Sequence, residues 1–245
     1  MPVWSDRLAA TPPIRALAAR TDCHNPGRMD EGALREELCR TGRLCWERGL
    51  VGAAEGNLSA RLADGRILCT PSGASKGHLE PADLTIVDEG GAWVTGPKPS
   101  SELGLHLCLY GERPDCRAVV HAHPPTATAF ALAGVSIPDD VLPEGVFVLG
   151  PVALAPFAFP GSEEVAAKVR PFARGHDAIL LANHGAVTIG GSLEEAYFRM
   201  ETLERVAGVV AGALALGNVN PLPADAVARL RALRQRISGG DSGTE

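Results

Sequence analysis

The sequence has few aromatic side chains, no basic tract and no long apolar run. Phe, Trp and Tyr make up 4% of the 245 residues, and only 2 of them are Tyr, against 7 His. Proteins that stack nucleic-acid bases need more aromatic surface. Binding through a basic surface needs clustered Lys and Arg, whereas this chain has a net charge of −6. We therefore expect a small-molecule ligand and no nucleic-acid partner.

Two further absences argue against a membrane protein and a disulfide-linked one. The longest apolar stretch, around 206–216, is rich in Ala and Gly and shorter than the roughly 20 residues that span a bilayer. The first residues lack a basic segment followed by an apolar one, so the sequence predicts no signal peptide. None of the 6 Cys is paired at CxxC spacing. We expect reduced thiols, no membrane contact and a cytoplasmic location.

Composition and periodicity divide the chain into three parts. Residues 1–29 contain several Pro and no sustained periodicity, and we interpret them as a partly ordered N-terminal extension. Residues 30–218 show no composition break and form one predicted domain. Residues 219–245 comprise a last helix, 224–237, and a Gly/Ser-rich tail that we expect to be disordered.

Short strands alternate with helices in the predicted domain. Two hairpins are predicted, at 57–62 with 66–70 and at 84–87 with 92–94, because turn residues separate each pair of strands. Further strands are predicted at 118–123, 146–149, 152–155, 178–181 and 186–189. Helices are predicted at 31–48, 101–110, 126–133, 162–174 and 192–216. Hairpins interleaved with helices indicate an α/β fold, with helices packed on a mixed, largely antiparallel sheet.

Two apolar strands run into histidine. His121 and His123 are two residues apart at the end of one strand, so both can face the same side, about 7 Å apart at Cα. His184 follows a second apolar strand in the sequence Asn-His-Gly. A lone histidine at a strand end is usually a structural polar residue. Three that meet could instead bind one metal ion and leave a coordination position open.

A loop with two serines leads into the predicted helix 101–110. Taken alone, Ser100 and Ser101 followed by Glu102 form a helix-capping pattern with the acid in the first turn. His106 follows Glu102 by four residues, so the two share one helix face. His106 could hydrogen-bond within the core or support a metal site.

Two small polar loops lie beside the first predicted hairpin. Gly56 and Asn57 begin one loop, and Ser72 and Gly73 lie in the other. Their amides and hydroxyls could cradle an anion, although such segments are usually only turns. Lys76 could add positive charge there, but an exposed, solvated lysine is the simpler interpretation.

Taken together in their order along the chain, these five segments resemble the class II aldolase and adducin family. Its best-known enzymes are L-fuculose-phosphate aldolase and L-ribulose-5-phosphate 4-epimerase. The resemblance covers about residues 31–216. It rests on GNLSAR, TPSG, KPSSE, VVHAHP and ANHG, the last followed by a long helix headed SLEEAY. It implies a three-layer α/β/α fold with a central, mainly antiparallel sheet. It also implies a homotetramer with active sites at the subunit interfaces.

The resemblance implies roles for individual residues. His121, His123 and His184 match the family's three zinc ligands. Glu102 matches the glutamate that binds zinc in the resting enzyme and then serves as the catalytic base. The family's phosphate-binding loops match Gly56, Asn57, Ser72, Gly73, Ser100 and Ser101. Three imidazoles and a carboxylate would also accept Mn²⁺, Fe²⁺ or Co²⁺.

The implied activity is a reversible retro-aldol cleavage by a metal-dependent lyase. The substrate would be a phosphorylated keto-sugar similar to L-fuculose 1-phosphate, and the products dihydroxyacetone phosphate and an aldehyde, formed through a zinc-stabilised enediolate. One departure from the family concerns the acid/base tyrosine that the aldolases place after the HAHP helix. Here the segment 137–146 contains none, so Asp139, Asp140, Glu144 or a water molecule would have to replace it.

This departure leaves other functions open. A metal-dependent decarboxylase or dehydratase of the same family would use the same metal-stabilised enolate with a different leaving group. A non-enzymatic, adducin-like assembly module would keep the fold without the metal ligands. The three histidines and Glu102 argue against that last alternative.

Overall fold

The computed structural model describes residues 30–238. The predicted extension 1–29 and the predicted disordered tail fall outside the described residues, apart from Ser238 at the end of the last helix. The described helices are α1 Glu31–Glu47, α2 Leu103–Glu112, α3 Pro125–Ala133, α4 Glu163–Ala173, α5 Leu193–Ala215 and α6 Ala224–Ser238. The described strands are β1 Asn57–Arg61, β2 Ile67–Cys69, β3 Thr85–Val87, β4 Trp93–Thr95, β5 Ala118–Ala122, β6 Val152–Ala155, β7 Ala178–Leu181 and β8 Gly185–Gly190.

The strands form one sheet in the order β4-β3-β2-β1-β5-β8-β7-β6. Both predicted hairpins are present, as β1–β2 and β3–β4. Every pair of neighbouring strands is antiparallel except β6 and β7, which are parallel. The largely antiparallel sheet expected from the sequence is therefore confirmed.

Helices cover both faces of the sheet. On one face, α1, α3 and α5 pack their apolar side chains against strand residues such as Val120. On the other face, α2 and α4 pack against the alternate residues, such as Val119. Because successive side chains of a strand point to opposite faces, a continuous apolar run serves both cores. The three-layer α/β/α architecture is confirmed.

A small group of buried polar residues lies at the centre of the sheet, on the face that α2 covers. Asn57 of β1 lies opposite His121 of β5, and Ser59 lies opposite Val119. By strand alternation Asn57, Ser59 and His121 share the face that α2 covers. All three are buried, and the exposed fraction of none exceeds 3%. Polar groups at such a depth need partners, and α2 supplies those of Asn57 and Ser59.

The prediction of a strand at 146–149 is wrong. Residues Gly145–Leu149 form a π-helical turn, which ends at Gly150 with φ +65°. The Val146 N–H donates to Leu142 O and the Gly150 N–H to Gly145 O, each at 3.0 Å. A short apolar run does not by itself distinguish a strand from a buried helical turn, and here the backbone bonds locally.

No helix of the described part of the chain is long and apolar enough to cross a membrane. The described cysteines are buried and free, as the sequence predicts: Cys39, Cys45, Cys69, Cys108 and Cys116. Burial raises the pKa of the Cys69 thiol to about 12, which keeps that thiol protonated and unreactive at neutral pH. Cys23 falls outside the described residues.

Candidate metal centre

Three imidazoles meet at one end of the central strands. His121 lies near the end of β5, His123 follows that strand, and His184 lies in the turn between β7 and β8. Their ring centroids are 5.1, 4.8 and 5.0 Å apart. One ring nitrogen of each lies within 4.8 Å of those of the other two. The structure thus brings together the three histidines that the sequence singled out.

The turn between β7 and β8 places His184 through two unusual backbone positions. Asn183 adopts a left-handed conformation, with φ +58°, which asparagine tolerates better than most residues. A Cβ on Gly185 would lie 2.5 Å from Ala122 O and 2.6 Å from the His123 ring. Glycine is therefore required for the turn to approach the end of β5 closely.

Glu102 turns its carboxylate into the histidine cluster. Its Oε2 lies 3.2 Å from His121 Nε2, and its Oε1 lies 3.2 Å from His184 Nε2. Burial raises the pKa of this carboxyl, but hydrogen bonds and charge from the two histidines outweigh burial and hold the pKa well below its usual range. The carboxylate is therefore ionised.

The capping interpretation of the Ser-Ser-Glu segment is wrong. Glu102 precedes the first turn of α2 and makes no side-chain bond to the helix amides. The Glu102 N–H instead donates to Ser100 Oγ at 3.2 Å. The sequence pattern does not distinguish the two roles, because a carboxylate near the start of a helix interacts favourably with the helix dipole whether or not it caps the helix.

The donor atoms of the cluster fit a catalytic divalent metal. His121 Nδ1 lies 2.9 Å from the carbonyl of Ala186, which can only accept, so Nδ1 carries a proton and Nε2 is the nitrogen that faces the cluster. His123 Nδ1 likewise faces a carboxylate oxygen of Glu55, at 2.7 Å. Glu102 directs both carboxylate oxygens to Nε2 atoms of the cluster, Oε1 to that of His184 and Oε2 to that of His121. Imidazole and carboxylate donors suit Zn²⁺ and related transition metals.

Sequence reasoning missed Glu55. This residue lies in the loop before β1, where its Oε1 accepts the Gly52 N–H at 2.8 Å while its Oε2 faces His123. Carboxylates commonly orient metal-binding histidines in this way. No local pattern marks the residue, because its partner lies 68 positions further along the chain.

The predicted anion-binding loops divide into two groups. The loops carrying Ser72–Gly73 and Ser100–Ser101 lie side by side, because Pro71 pairs with Pro99 and the Ser72 N–H donates to Lys98 O at 2.9 Å. Ser72, Gly73 and Ser101 are exposed, although the Ser72 N–H is already bonded to Lys98 O.

Gly56 and Asn57 lie instead in the protein interior beside the histidines. Asn57 is 3% exposed. Its Nδ2 donates to Glu102 Oε2 at 2.8 Å, and its Oδ1 lies 2.5 Å from His106 Nε2. The side chain of Asn57 is thus engaged with the histidine and carboxylate cluster.

The interpretation of Lys76 as an exposed residue is wrong. The side chain is 2% exposed. Its Nζ donates to Ala54 O at 2.7 Å and to Ala74 O at 2.8 Å. The ammonium group thereby ties the loop before β1 to the loop that follows Gly73. Burial lowers the pKa of Lys76 to about 8, although the charges of Glu102 and Glu55 act in the opposite direction.

Neither of the chain's two tyrosines is available for acid/base work at the cluster. Tyr110 and Tyr197 are each 4% exposed. The hydroxyl of Tyr110 lies 2.8 Å from Ser59 Oγ, and that of Tyr197 donates to Glu201 at 3.2 Å. Among the acids suggested as replacements, Asp139 is paired with Arg231 at 2.9 Å.

Comparison with known proteins finds a matching family and relatives that are named as enzymes. The model of the family described as Class II Aldolase and Adducin N-terminal domain matches residues 36–211. The 3-oxo-tetronate 4-phosphate decarboxylase of Escherichia coli K12 is 40% identical over 184 residues, which are 74% of this chain and 87% of that protein. The L-fuculose phosphate aldolase of Methanococcus maripaludis is 38% identical over 172 residues, 70% of this chain and 92% of that one. The crystal structure of YgbL from Escherichia coli matches with a TM-score of 0.77 and 39% identity, covering 82% of this chain and 99% of that chain.

Proposed function

The chain belongs to the class II aldolase and adducin family, and we propose that it is a metal-dependent decarboxylase of a phosphorylated 3-oxo sugar acid. Relatives at 40% identity carry out such a reaction. The observation that carries the choice is a cluster of three histidines and Glu102 in a chain whose two tyrosines are buried, with their hydroxyls bonded to Ser59 and Glu201. This observation supports decarboxylation over the retro-aldol cleavage that the sequence first suggested.

The leaving group explains why a missing tyrosine matters. In a retro-aldol cleavage, the fragment that leaves as an aldehyde must lose its hydroxyl proton, and a general base must take it. A 3-oxo acid instead loses CO₂ from a carboxylate that is already ionised at neutral pH. No acid/base group is then needed on the leaving side. In both reactions the electron pair of the broken bond passes into an enediolate.

We assign the metal-binding role to His121, His123 and His184, with Glu102 beside them. A divalent cation held there would act as a Lewis acid on the negative charge that develops on the substrate's oxygens. The imidazoles are fixed for this task by Ala186 O and Glu55, which hold the Nδ1 protons of His121 and His123. The catalytic role falls to Glu102. In the reaction the C1–C2 bond breaks, CO₂ leaves and one proton taken up from water ends on C2, with the Glu102 carboxylate as the group placed to carry that proton.

The paired loops would hold the phosphate. The hydroxyls of Ser72, Ser100 and Ser101 and the amide of Gly73 would contact it, and Gly56 and Asn57 complete the wall beside the histidines. An anchor at the phosphate positions the substrate through atoms remote from the bond that breaks. Recognition through backbone amides also fits an acidic protein without a Lys/Arg cluster.

Retro-aldol cleavage of a keto-sugar such as L-fuculose 1-phosphate is the second candidate. The 38% identity to an archaeal L-fuculose phosphate aldolase favours it. It requires a base for the aldehyde fragment that neither Tyr110 nor Tyr197 can supply. A purely structural, adducin-like role would leave the convergent histidines and the buried Glu102 without a purpose.

We also propose that the protein is a homotetramer with active sites at the subunit interfaces. An exposed aromatic pair beside the serine loop supports this proposal: Phe157 and Phe159 are 47% and 67% exposed, and their rings pack edge to face with centroids 5.6 Å apart. The same loop reaches Ser101, because a Cβ on Gly161 would lie 3.2 Å from Ser101 Oγ. Light scattering should give four times the chain mass, and a smaller value for the double variant Phe157→Ser, Phe159→Ser. A monomeric wild type would contradict the proposal.

Steady-state kinetics on three substrates test the proposed reaction. Zn²⁺- or Mn²⁺-loaded protein is given 3-oxo-tetronate 4-phosphate, its unphosphorylated form or L-fuculose 1-phosphate, with dihydroxyacetone phosphate and CO₂ both measured. We expect the highest kcat/KM with the phosphorylated oxo acid, and loss of turnover in Glu102→Gln. Turnover of L-fuculose 1-phosphate without turnover of the oxo acid would make the protein an aldolase.

A further inference from the structure

A row of five polar side chains runs between the sheet and α2, from Tyr110 through Ser59, His106 and Asn57 to Glu102. The successive donor–acceptor distances are 2.8, 2.6, 2.5 and 2.8 Å. The first four residues are buried, with exposed fractions of 4, 0, 1 and 3%. Such a row connects the interior of the apolar layer to the candidate metal centre.

The chemistry of the groups sets the direction of every hydrogen bond. The ionised Glu102 can only accept, so Asn57 presents its Nδ2–H to it and its Oδ1 to His106. That amide oxygen also only accepts, so His106 Nε2 carries a hydrogen. The opposite amide orientation would set two acceptor oxygens against each other.

The directions of the two remaining hydrogen bonds, between His106 and Ser59 and between Ser59 and Tyr110, follow by the same reasoning. Burial lowers the pKa of His106 to about 3, so its ring is neutral and Nδ1 carries no proton. Ser59 therefore donates to His106 Nδ1 and accepts from the Tyr110 hydroxyl. All four hydrogens point towards Glu102. Aligned hydrogen bonds in a low-dielectric interior strengthen one another.

We propose that Ser59, His106 and Tyr110 are positioning residues that act through Asn57 to hold Glu102 in a single orientation towards the metal centre. The row fixes Glu102 Oε2, while Oε1 lies 3.2 Å from His184 Nε2 in the histidine cluster. The inference rests on the proposed metal site but not on the identity of the substrate. His106 is the key member, because a neutral imidazole accepts at one edge and donates at the other, which an apolar residue cannot do.

The test compares two replacements of His106. In His106→Leu the amide of Asn57 loses its fixed orientation, while in His106→Gln the new amide can donate to Asn57 and accept from Ser59. We expect His106→Leu to lose about 10–100-fold in Co²⁺ affinity, as outer-shell changes at metal sites do. We expect kcat to fall by a similar factor with little change in KM. His106→Gln should recover most of both losses. His176→Leu, at a histidine outside the row whose Nδ1 bonds the Phe172 carbonyl, should match the wild type.

Affinity is measured by competition of Co²⁺ against a chelator on folded protein, so it is independent of turnover. Should His106→Leu fail to fold, Ser59→Ala gives the same test, because it deletes only the hydroxyl that donates to Nδ1; a loss of several-fold is expected. Unchanged Co²⁺ affinity in whichever of these two variants folds, or an equal loss in the Leu and Gln variants, would overturn the proposal.

The protonated nitrogen of His106 gives a second, independent readout. Long-range ¹H–¹⁵N spectra of the metal-free wild type should show the neutral ring with its hydrogen on Nε2. A hydrogen on Nδ1 would reverse the row and overturn the proposal. A wild type that binds Co²⁺ but releases no CO₂ would refute the proposed reaction and leave the positioning role intact.

Discussion

Replacing Lys76 with methionine should change how the stability of the protein depends on pH. The wild-type ammonium group lies at the junction of two loops, 2% exposed, and donates to the carbonyls of Ala54 and Ala74. The carboxylates that face it, Glu102 and Glu55, attract it from a distance. Methionine fills a similar volume without a charge or a donor.

The size and sign of the effect follow from the pKa of Lys76. Burial lowers this pKa from its ordinary 10.5 to about 8 in the folded protein, which corresponds to at most about 3 kcal/mol. Between these two values the unfolded chain binds the proton and the folded protein does not, so stability rises with pH. The cost of burying the charge is fully present below pH 8 and is relieved as the pH approaches 10.5. The variant also loses the two hydrogen bonds of the ammonium group, which destabilises it by about 1–3 kcal/mol for each carbonyl left without a donor. This loss is the same at every pH.

Urea unfolding of both proteins at several pH values between 7 and 10.5 measures this effect. The free energy of unfolding of the wild type, minus that of Lys76→Met, should increase by up to about 3 kcal/mol across the range. Lys168→Met, at an exposed lysine of α4, is the control and should show no such increase. A constant difference between wild type and Lys76→Met would refute the reasoning that burial lowers the pKa of Lys76.

Three further predictions concern the histidine cluster and its loops. Gly73→Ala should lower the free energy of unfolding by about 1–2 kcal/mol, because its φ is +74° although no described atom lies within 4 Å of the new Cβ. Gly56→Ala has a similar φ of +69°, but its Cβ would also lie 2.8 Å from His121 O. Urea unfolding should therefore show a clearly larger loss for Gly56→Ala. Equal costs would show that the close approach is relaxed easily. Glu55→Ala should weaken Co²⁺ binding about 10-fold or more, because His123 loses the acceptor for Nδ1; an unchanged chelator competition curve would count against that role. Protein purified without added metal should carry less metal as His123→Ala than as the wild type, and equal contents by elemental analysis would contradict the site.

The parts of the fold that local signals encode were predictable from the sequence. The turn residues Ala-Asp-Gly fix the β1–β2 hairpin, and the apolar run before His121 marks a central strand. His121 lies in β5, and His184 directly precedes β8, which is paired with β5 in the sheet; this explains why histidines far apart in sequence converge. Alternation of side chains along β5 then directs His121 to the α2 face.

The errors arose where a contact distant in sequence decides the conformation. The apolar run at 146–149 could satisfy a strand or a buried helical turn, and only its packing against α5 and α6 distinguishes them. Lys76 looked solvent-exposed because its partners are backbone carbonyls, which leave no trace in the sequence. Glu102 matched a capping pattern, yet its oxygens face histidines on two other elements.

The central claim, that CO₂ is the leaving group, is tested most directly by following a carbon label. The metal-loaded protein is incubated with 3-oxo-tetronate 4-phosphate carrying ¹³C at C1, and the products are followed by NMR. We predict one labelled CO₂ or bicarbonate for each unlabelled dihydroxyacetone phosphate formed, with neither product above background in Glu102→Gln. A wild-type protein that retains its metal but releases no label from C1 would contradict the account.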